Sequence, residues 1–153
     1  MPTTINPELD SSSSIERLNA LLRGELSAVE TYGEIINKFG EEAPVELNEC
    51  LRSHRQRVTK LGGRIVDLGG TPSASSGLWG SFARLVEKGA ALFGRQNALA
   101  ALEEGEDHGL AQYREYLDDH DLDVDSRRLF EAELMPEQLK THDMVRNLCR
   151  SCT

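Results

Sequence analysis

One carboxylate stands on an apolar seam where a charge has no natural place. Ile15, Leu18, Leu22, Val29, Tyr32, Ile36 and Phe39 follow the three-and-four spacing with which an amphipathic helix lies along its neighbours. Glu25 fills the gap in that stripe between Leu22 and Val29. A carboxylate turned toward a bundle interior needs a cation, a proton or a hydrogen-bonding partner. Which of these it has decides what the protein does.

The rest of the chain supplies the helices such a seam must pack against. Residues 1–12 read as a loose polar tail, and Ser13 with Glu16 reads as a capping box opening the first helix. A second helix from Pro44 carries Leu47, Leu51, His54, Val58, Leu61, Ile65 and Leu68, with His54 as its polar interruption and Gly69-Gly70 as its stop. After a Pro/Ser/Gly loop over Thr71 to Gly77, Leu78 to Phe93 predicts a short amphipathic helix with Trp79 and Phe82 on its apolar side. A third long helix, Asn97 to Asp119, turns Leu99, Leu102, Glu106, Gly109, Tyr113 and Leu117 inward. A fourth, capped by Asp123 or Asp125, runs to about Arg150 with Met135, Leu139, His142, Val145 and Cys149 inward, and Pro136 kinks or restarts it.

Composition narrows the class. A chain of 153 residues is one domain with a proper core, here residues 13–150. Acidic residues outnumber basic ones 26 to 17, so no positive field draws nucleic acid. Three cysteines and no signal peptide point to a reducing, cytoplasmic setting. No apolar run approaches the roughly 18 residues of a membrane span. Leu, Ala, Glu and Arg are plentiful and favour helix.

The helices repeat in pairs. Gly24-Glu25 leads to Tyr32 as Gly105-Glu106 leads to Tyr113, and Leu51-Arg-Ser-His54 echoes Leu139-Lys-Thr-His142. Two helical hairpins related by an approximate two-fold and joined by a long connection predict an all-α, antiparallel four-helix bundle, with the Trp79 helix in the crossover.

Leu18 to Tyr32 resembles the first helix of bacterioferritins, including the Glu25-to-Tyr32 spacing, and Arg64 to Pro72 resembles the end of their second helix. Across its whole length the chain is similar to a bacterial family of ferritin-like domains of unknown function. The Gly77-Leu-Trp-Gly80 loop with Arg84, Glu104-Gly-Glu106-Asp107 before Tyr113, and His142 before Leu148 carry that likeness. The resemblance implies a ferritin-like fold. Ferritin-like di-iron sites take one glutamate from each of two helices and a Glu-x-x-His pair from each of the other two. Glu25 and Glu106 match the single glutamates. Where the pairs would stand, His54 with Arg57 and Gln138 with Thr141 stand instead.

Two readings of these residues follow. In one, Glu25, His54, Glu106 and His142 bind Fe, Mn or Zn, and the protein is a di-iron-type oxidoreductase with ferroxidase or peroxide-handling activity. In the other they form a buried polar layer with Arg57, Gln138, Tyr32 and Tyr113, and the domain is non-catalytic, a vestigial site in a stress-associated or partner-binding protein. Helix levels favour the layer. With the first turn near residue 42, His54 lies roughly 7 Å along the axis from the level of Glu25. Tyr32 and Tyr113 then read as core residues with hydroxyls tied to carboxylates. Cys149-Arg-Ser-Cys152 reads as inward packing near a helix end, not as a redox pair. The Trp79 helix is expected to cover one side of the bundle, with dimerisation through its residual apolar surface as the alternative, and the expected assembly is a homodimer or other small oligomer. No ferritin-type cage is expected, since no fifth helix follows the fourth.

Overall fold

A computed structural model describes residues 7–76 and 94–152. These residues are helical throughout their regular structure, with no strand among them. Helix α1 (Pro7–Phe39) passes through a 3₁₀ turn at Gly40–Glu42 into α2 (Val45–Asp67). Helix α3 (Arg95–Leu117) is followed by a fourth rod made of α4 (Val124–Leu129), a π turn at Phe130–Leu134 and α5 (Met135–Ser151). No described helix is long and apolar enough to cross a membrane. The expected Trp79 helix lies outside the described residues.

The first helix begins at Pro7, so Ser13 sits within it and is not its cap. Proline at a first helical position already holds the φ a helix requires. The end of α2 agrees with its sequence. Gly70 N donates to Ile65 O and Gly69 N to Val66 O, both at 2.9 Å, with Gly69 at φ +86°. That is a Schellman ending, and the left-handed residue in it is one that glycine adopts without strain. Gly70 also lies against α1: a Cβ there would come within 2.7 Å of Ile15 Cγ2. The fourth rod opens at Asp123, whose carboxylate accepts from Ser126 N at 2.9 Å.

Pro136 stands in the first turn of α5, where the α-helix resumes after the π turn. The chain widens into a π turn just ahead of it, which relieves the clash a proline ring makes with the carbonyl four residues earlier. The turn also resets the face of the rod. Ser126, Phe130, Leu134 and Gln138 are all buried at constant four-residue steps, which in an α-helix would drift about 40° each time. Gln138, Thr141 and Val145 therefore point inward, whereas Leu139, expected inside, is 41 % exposed.

The interior has three parts. One apolar cluster gathers Leu18, Leu22, Leu61, Ile65, Tyr113, Phe130 and Leu134. A second gathers Ile35, Leu47, Cys50, Leu51, Leu99, Leu102 and Val145. Between them lies a polar layer containing Glu25, His54, Arg57, Glu106, Gln138 and Thr141, every one buried.

Ion pairs and hydrogen bonds fix the levels of the rods. Arg17 pairs with Asp119, and Tyr32 with Glu106, between α1 and the α3 region. Arg64 pairs with Asp123, and Ser53 with Glu137, between α2 and the fourth rod. After α2 the chain follows α1: Asn19 donates to Thr71 O, Arg23 to Ser73, and Ser76 to Glu30. It resumes at Gly94 beside the far end of α1, where the Arg95 guanidinium lies over the Phe39 ring.

Candidate functional site

Each residue of the polar layer reaches the centre because it occupies a seam position. His54 and Arg57 are one turn apart on α2, and Gln138 and Thr141 one turn apart on α5. His54 bridges the two glutamates. Its Nδ1 lies 2.5 Å from Glu25 Oε2 and its Nε2 lies 2.8 Å from Glu106 Oε1. The tyrosines brace the carboxylates crosswise. Tyr32 of α1 donates to Glu106 of α3 at 2.5 Å, and Tyr113 of α3 donates to Glu25 of α1.

Arg57, only 1 % exposed, closes the layer on the other side. Its Nη1 donates to Gln138 Oε1 and lies 3.4 Å from Glu25 Oε1. Its Nη2 donates to Thr141 Oγ1 at 3.0 Å. Gln138 Nε2 and the Thr141 hydroxyl then donate to Glu106 Oε2, at 3.1 and 2.9 Å. Nearly every acceptor site of both carboxylates has a protein donor.

The charges hold one another in place. Burial alone would raise the Glu25 carboxyl, but the Arg57 and His54 charges beside it bring it down to about 2. Burial opposes Glu106 in the same way, and His54 and then Arg57 leave it below the usual carboxylate range. Burial would also discharge His54, yet the Glu25 charge, aided by Glu106, raises it above the ordinary imidazole value. Arg57 is held charged against burial chiefly by Glu25. Burial, and then the carboxylate each one faces, push both tyrosines well above their usual value, so they stay hydroxyl donors. Two carboxylates thus face one guanidinium and one imidazolium, and the layer balances.

The structure brings together Glu25, His54, Glu106, Arg57, Gln138, Tyr32 and Tyr113. The axial offset expected for His54 does not keep it away, because the Glu25 carboxylate sits between His54 and Arg57 and the side chains take up the difference. His142 is not part of the site. Its Nε2 lies 2.6 Å from Asp107, with Asp143 on its other side, because the π turn puts Thr141 on the inner face instead. Thr141 ties Arg57 to Glu106, and its three-residue step from Gln138 is the sequence signal that points to it.

A cavity of about 70 Å³ opens between α1 and α3, with Gly24, Ala28, Ala101 and Gly105 in its walls and Glu25 and Glu106 among its lining. At roughly 10–15 Å³ per water it has room for a few waters beside the layer. Cys50 and Cys149 are poor nucleophiles. Burial and then Glu106 push the Cys50 thiol up to about 12; burial and then Glu103 do the same to Cys149.

The metals that the resemblance implies do not fit these residues. Among the described residues no three His, Cys, Asp or Glu side chains form a group that could hold an ion. Both His54 nitrogens already face carboxylates, and a guanidinium fills the space beside Glu25.

Comparison with known proteins gives one family. The family described as Domain of unknown function (DUF2383) matches residues 13–119, a span that includes Glu25, His54, Arg57 and Glu106 and stops short of Gln138 and Thr141. No curated protein matches the chain, and no solved structure does.

Proposed function

The chain belongs to the DUF2383 family of domains of unknown function, and from that premise we propose that it is a ferritin-like, antiparallel four-helix bundle that carries out no metal chemistry. The ferritin-like part is supported by the bacterioferritin-like residues of α1 and the end of α2. It is supported too by a connection that leaves α2 near Ile15 and rejoins α3 near Phe39, as a crossover between parallel second and third helices requires. The function follows from one observation. Where a di-iron protein would present open carboxylates, Glu25 and Glu106 are answered by His54 and Arg57 from within the chain. An internally neutral layer sets the register of the bundle and leaves no electron acceptor or open ligand for oxidation chemistry.

The work of such a domain is then at its surface: a cytoplasmic, partner-binding role, with association into a small oligomer through the Trp79 segment.

Metal content tests the central claim. Protein loaded anaerobically with Fe(II) and desalted is expected to hold no iron, and its thermal unfolding to be indifferent to chelator, since a bound ion would stabilise only the folded state. Near-stoichiometric iron that disappears in a Glu25→Ala/Glu106→Ala variant would overturn the proposal and revive the oxidoreductase reading. Trp79→Glu or Phe82→Glu is expected to abolish self-association, measured by sedimentation, with helix content unchanged.

A further inference from the structure

Two of the three cysteines meet at one end of the bundle. Cys149 lies in the last turn of α5 and Cys152 closes that turn, with Cys152 N donating to Cys149 O at 3.4 Å. Residues three apart on a helix are separated by a rise of about 4.5 Å and most of a turn, which puts their Cα atoms about 5 Å apart. Disulfides bridge Cα atoms about 4.4–6.8 Å apart, so the two can be joined with the backbone where it is. Both thiols are free and half-buried, and both side chains pack against the same apolar cluster, so they leave the helix on one side.

Their surroundings differ. Cys152 lines an open hollow of about 440 Å³ with Gly94, Arg95, Gln96 and Asn97, which gives a small oxidant access to it. Gln96 Nε2 donates to Cys152 O at 2.7 Å and holds that residue at the edge of the hollow. Arg95 brings positive charge to the same place, where an attacking sulfur and a departing hydroxide both carry negative charge. Cys149 lies instead beside the Glu103 carboxylate of α3; burial and then that carboxylate keep its thiol protonated. Cys50 is wholly buried on α2. An accessible thiol one turn from a shielded one is an arrangement in which the first is oxidised and the second resolves it.

We propose that Cys149 and Cys152 are a thiol–disulfide site that reduces a hydroperoxide. The Cys152 sulfur, as thiolate, attacks the terminal peroxide oxygen. The S–O bond forms, the O–O bond breaks, and the departing alkoxide or hydroxide takes up the proton that Cys152 released. The Cys149 sulfur then attacks the Cys152 sulfenic sulfur. The S–S bond forms, the S–O bond breaks, and the Cys149 proton passes by way of Glu103 to the departing hydroxide. Two thiols lose two electrons and two protons, and the hydroperoxide becomes water and an alcohol, or two waters from hydrogen peroxide. A dithiol reductant resets the pair. A helix C-terminus gives a thiol none of the help that the positive end of the dipole would, so the first step is slow, but the sulfurs can still join. The electrons come from sulfur, so the site stands apart from the metal-free reading of the central layer.

The test uses the full chain, reduced, desalted and kept with chelator, and hydrogen peroxide as the probe. Free thiols are counted, and the alkylated protein is digested for peptide mass spectrometry. Two of the three thiols are expected to disappear, leaving one Cys149–Cys152 disulfide within the chain that dithiothreitol removes. In Cys149→Ser the reaction should stop at a sulfenic acid on Cys152, trapped by dimedone. Cys152→Ser should be oxidised at least about tenfold more slowly than native protein, and Cys50→Ser at the native rate.

Native protein that keeps all three thiols under peroxide overturns the proposal. So does a disulfide that includes Cys50, or one that joins two chains. Sulfenic acid trapped on Cys149 at the native rate in Cys152→Ser also overturns it, since the order of attack is then reversed. Because chelator is present throughout, each of these failures leaves the metal-free reading intact.

Discussion

The two hairpins bring an equivalent glutamate to the same level of the bundle and then surround it differently. On the α1–α2 side, Glu25 meets two cations, His54 and Arg57, at equivalent positions one turn apart. On the α3–α5 side, Glu106 meets Gln138 and Thr141, both neutral. Glu106 draws its positive partner from the opposite hairpin, through His54 Nε2. Neutrality is therefore a property of the whole layer and of neither hairpin alone. One hairpin carries both cations, and the other carries the neutral side chains whose hydrogen bonds aim them.

That asymmetry sets the order of the expected effects. Arg57→Ala leaves a buried carboxylate without its guanidinium and should lower stability by about 3–5 kcal/mol. Gln138→Ala, on the neutral side, should lower it by about 1–3 kcal/mol. Urea unfolding at pH 7 measures both, and equal losses would dissolve the distinction between the hairpins.

The pH profile should be limited by the charged hairpin. Glu25 is held at about 2 against 4.5 in an unfolded chain, so its contribution is complete above pH 4.5 and is lost as pH falls toward 2. The difference amounts to about 3 kcal/mol. His54 is raised, so its contribution is complete below its unfolded value of 6.5 and is lost as pH rises through the folded value. Stability should thus be greatest between about pH 4.5 and 6.5 in a series of melts. Glu25→Gln should shrink the acid limb, leaving the part that Glu106 contributes, and His54→Gln should flatten the alkaline one.

The crossed tyrosines sharpen the comparison from the other direction. Each donates to one carboxylate, so Tyr32→Phe and Tyr113→Phe should cost about 2 kcal/mol apiece, and nearly the same. A large inequality in chemical denaturation would show that the two-fold does not extend to the hydroxyls. The smallest effect belongs to His142→Ala. Its partner Asp107 is well exposed, and the change should cost under about 1 kcal/mol and fade with added salt.

Much of this centre is legible in the sequence. Glu25 and Glu106 stand out as carboxylates on apolar stripes, and the resemblance to a di-iron site draws attention to His54 and Arg57 where one of its pairs would stand. The same resemblance points to Gln138 and Thr141 where the other pair would stand. His142 misled, because the echo between Leu51-Arg-Ser-His54 and Leu139-Lys-Thr-His142 assumes an unbroken α-helix. A π turn obeys no side-chain pattern that a three-and-four spacing detects; Pro136 marked the place without revealing the form. The start of α1 differs for another reason, since the serine run over 11–14 offers cap residues but the helix begins at Pro7 and continues through it.

The π turn has a consequence for how this chain tolerates changes in length. Surface connections absorb an added or lost residue at little cost, but the fourth rod carries its surplus residue inside a helix that faces the core. Deleting any one residue of 130–134 would restore ordinary winding and leave Gln138 eleven positions from Ser126, only about 20° from its face. Straightening the turn with its surplus residue kept would instead swing Gln138 and Thr141 about 100° out of the layer, with no change in their identity. The winding between Phe130 and Gln138 is thus as much a part of the site as its side chains are, and a single deletion there should be read as a change the centre can absorb.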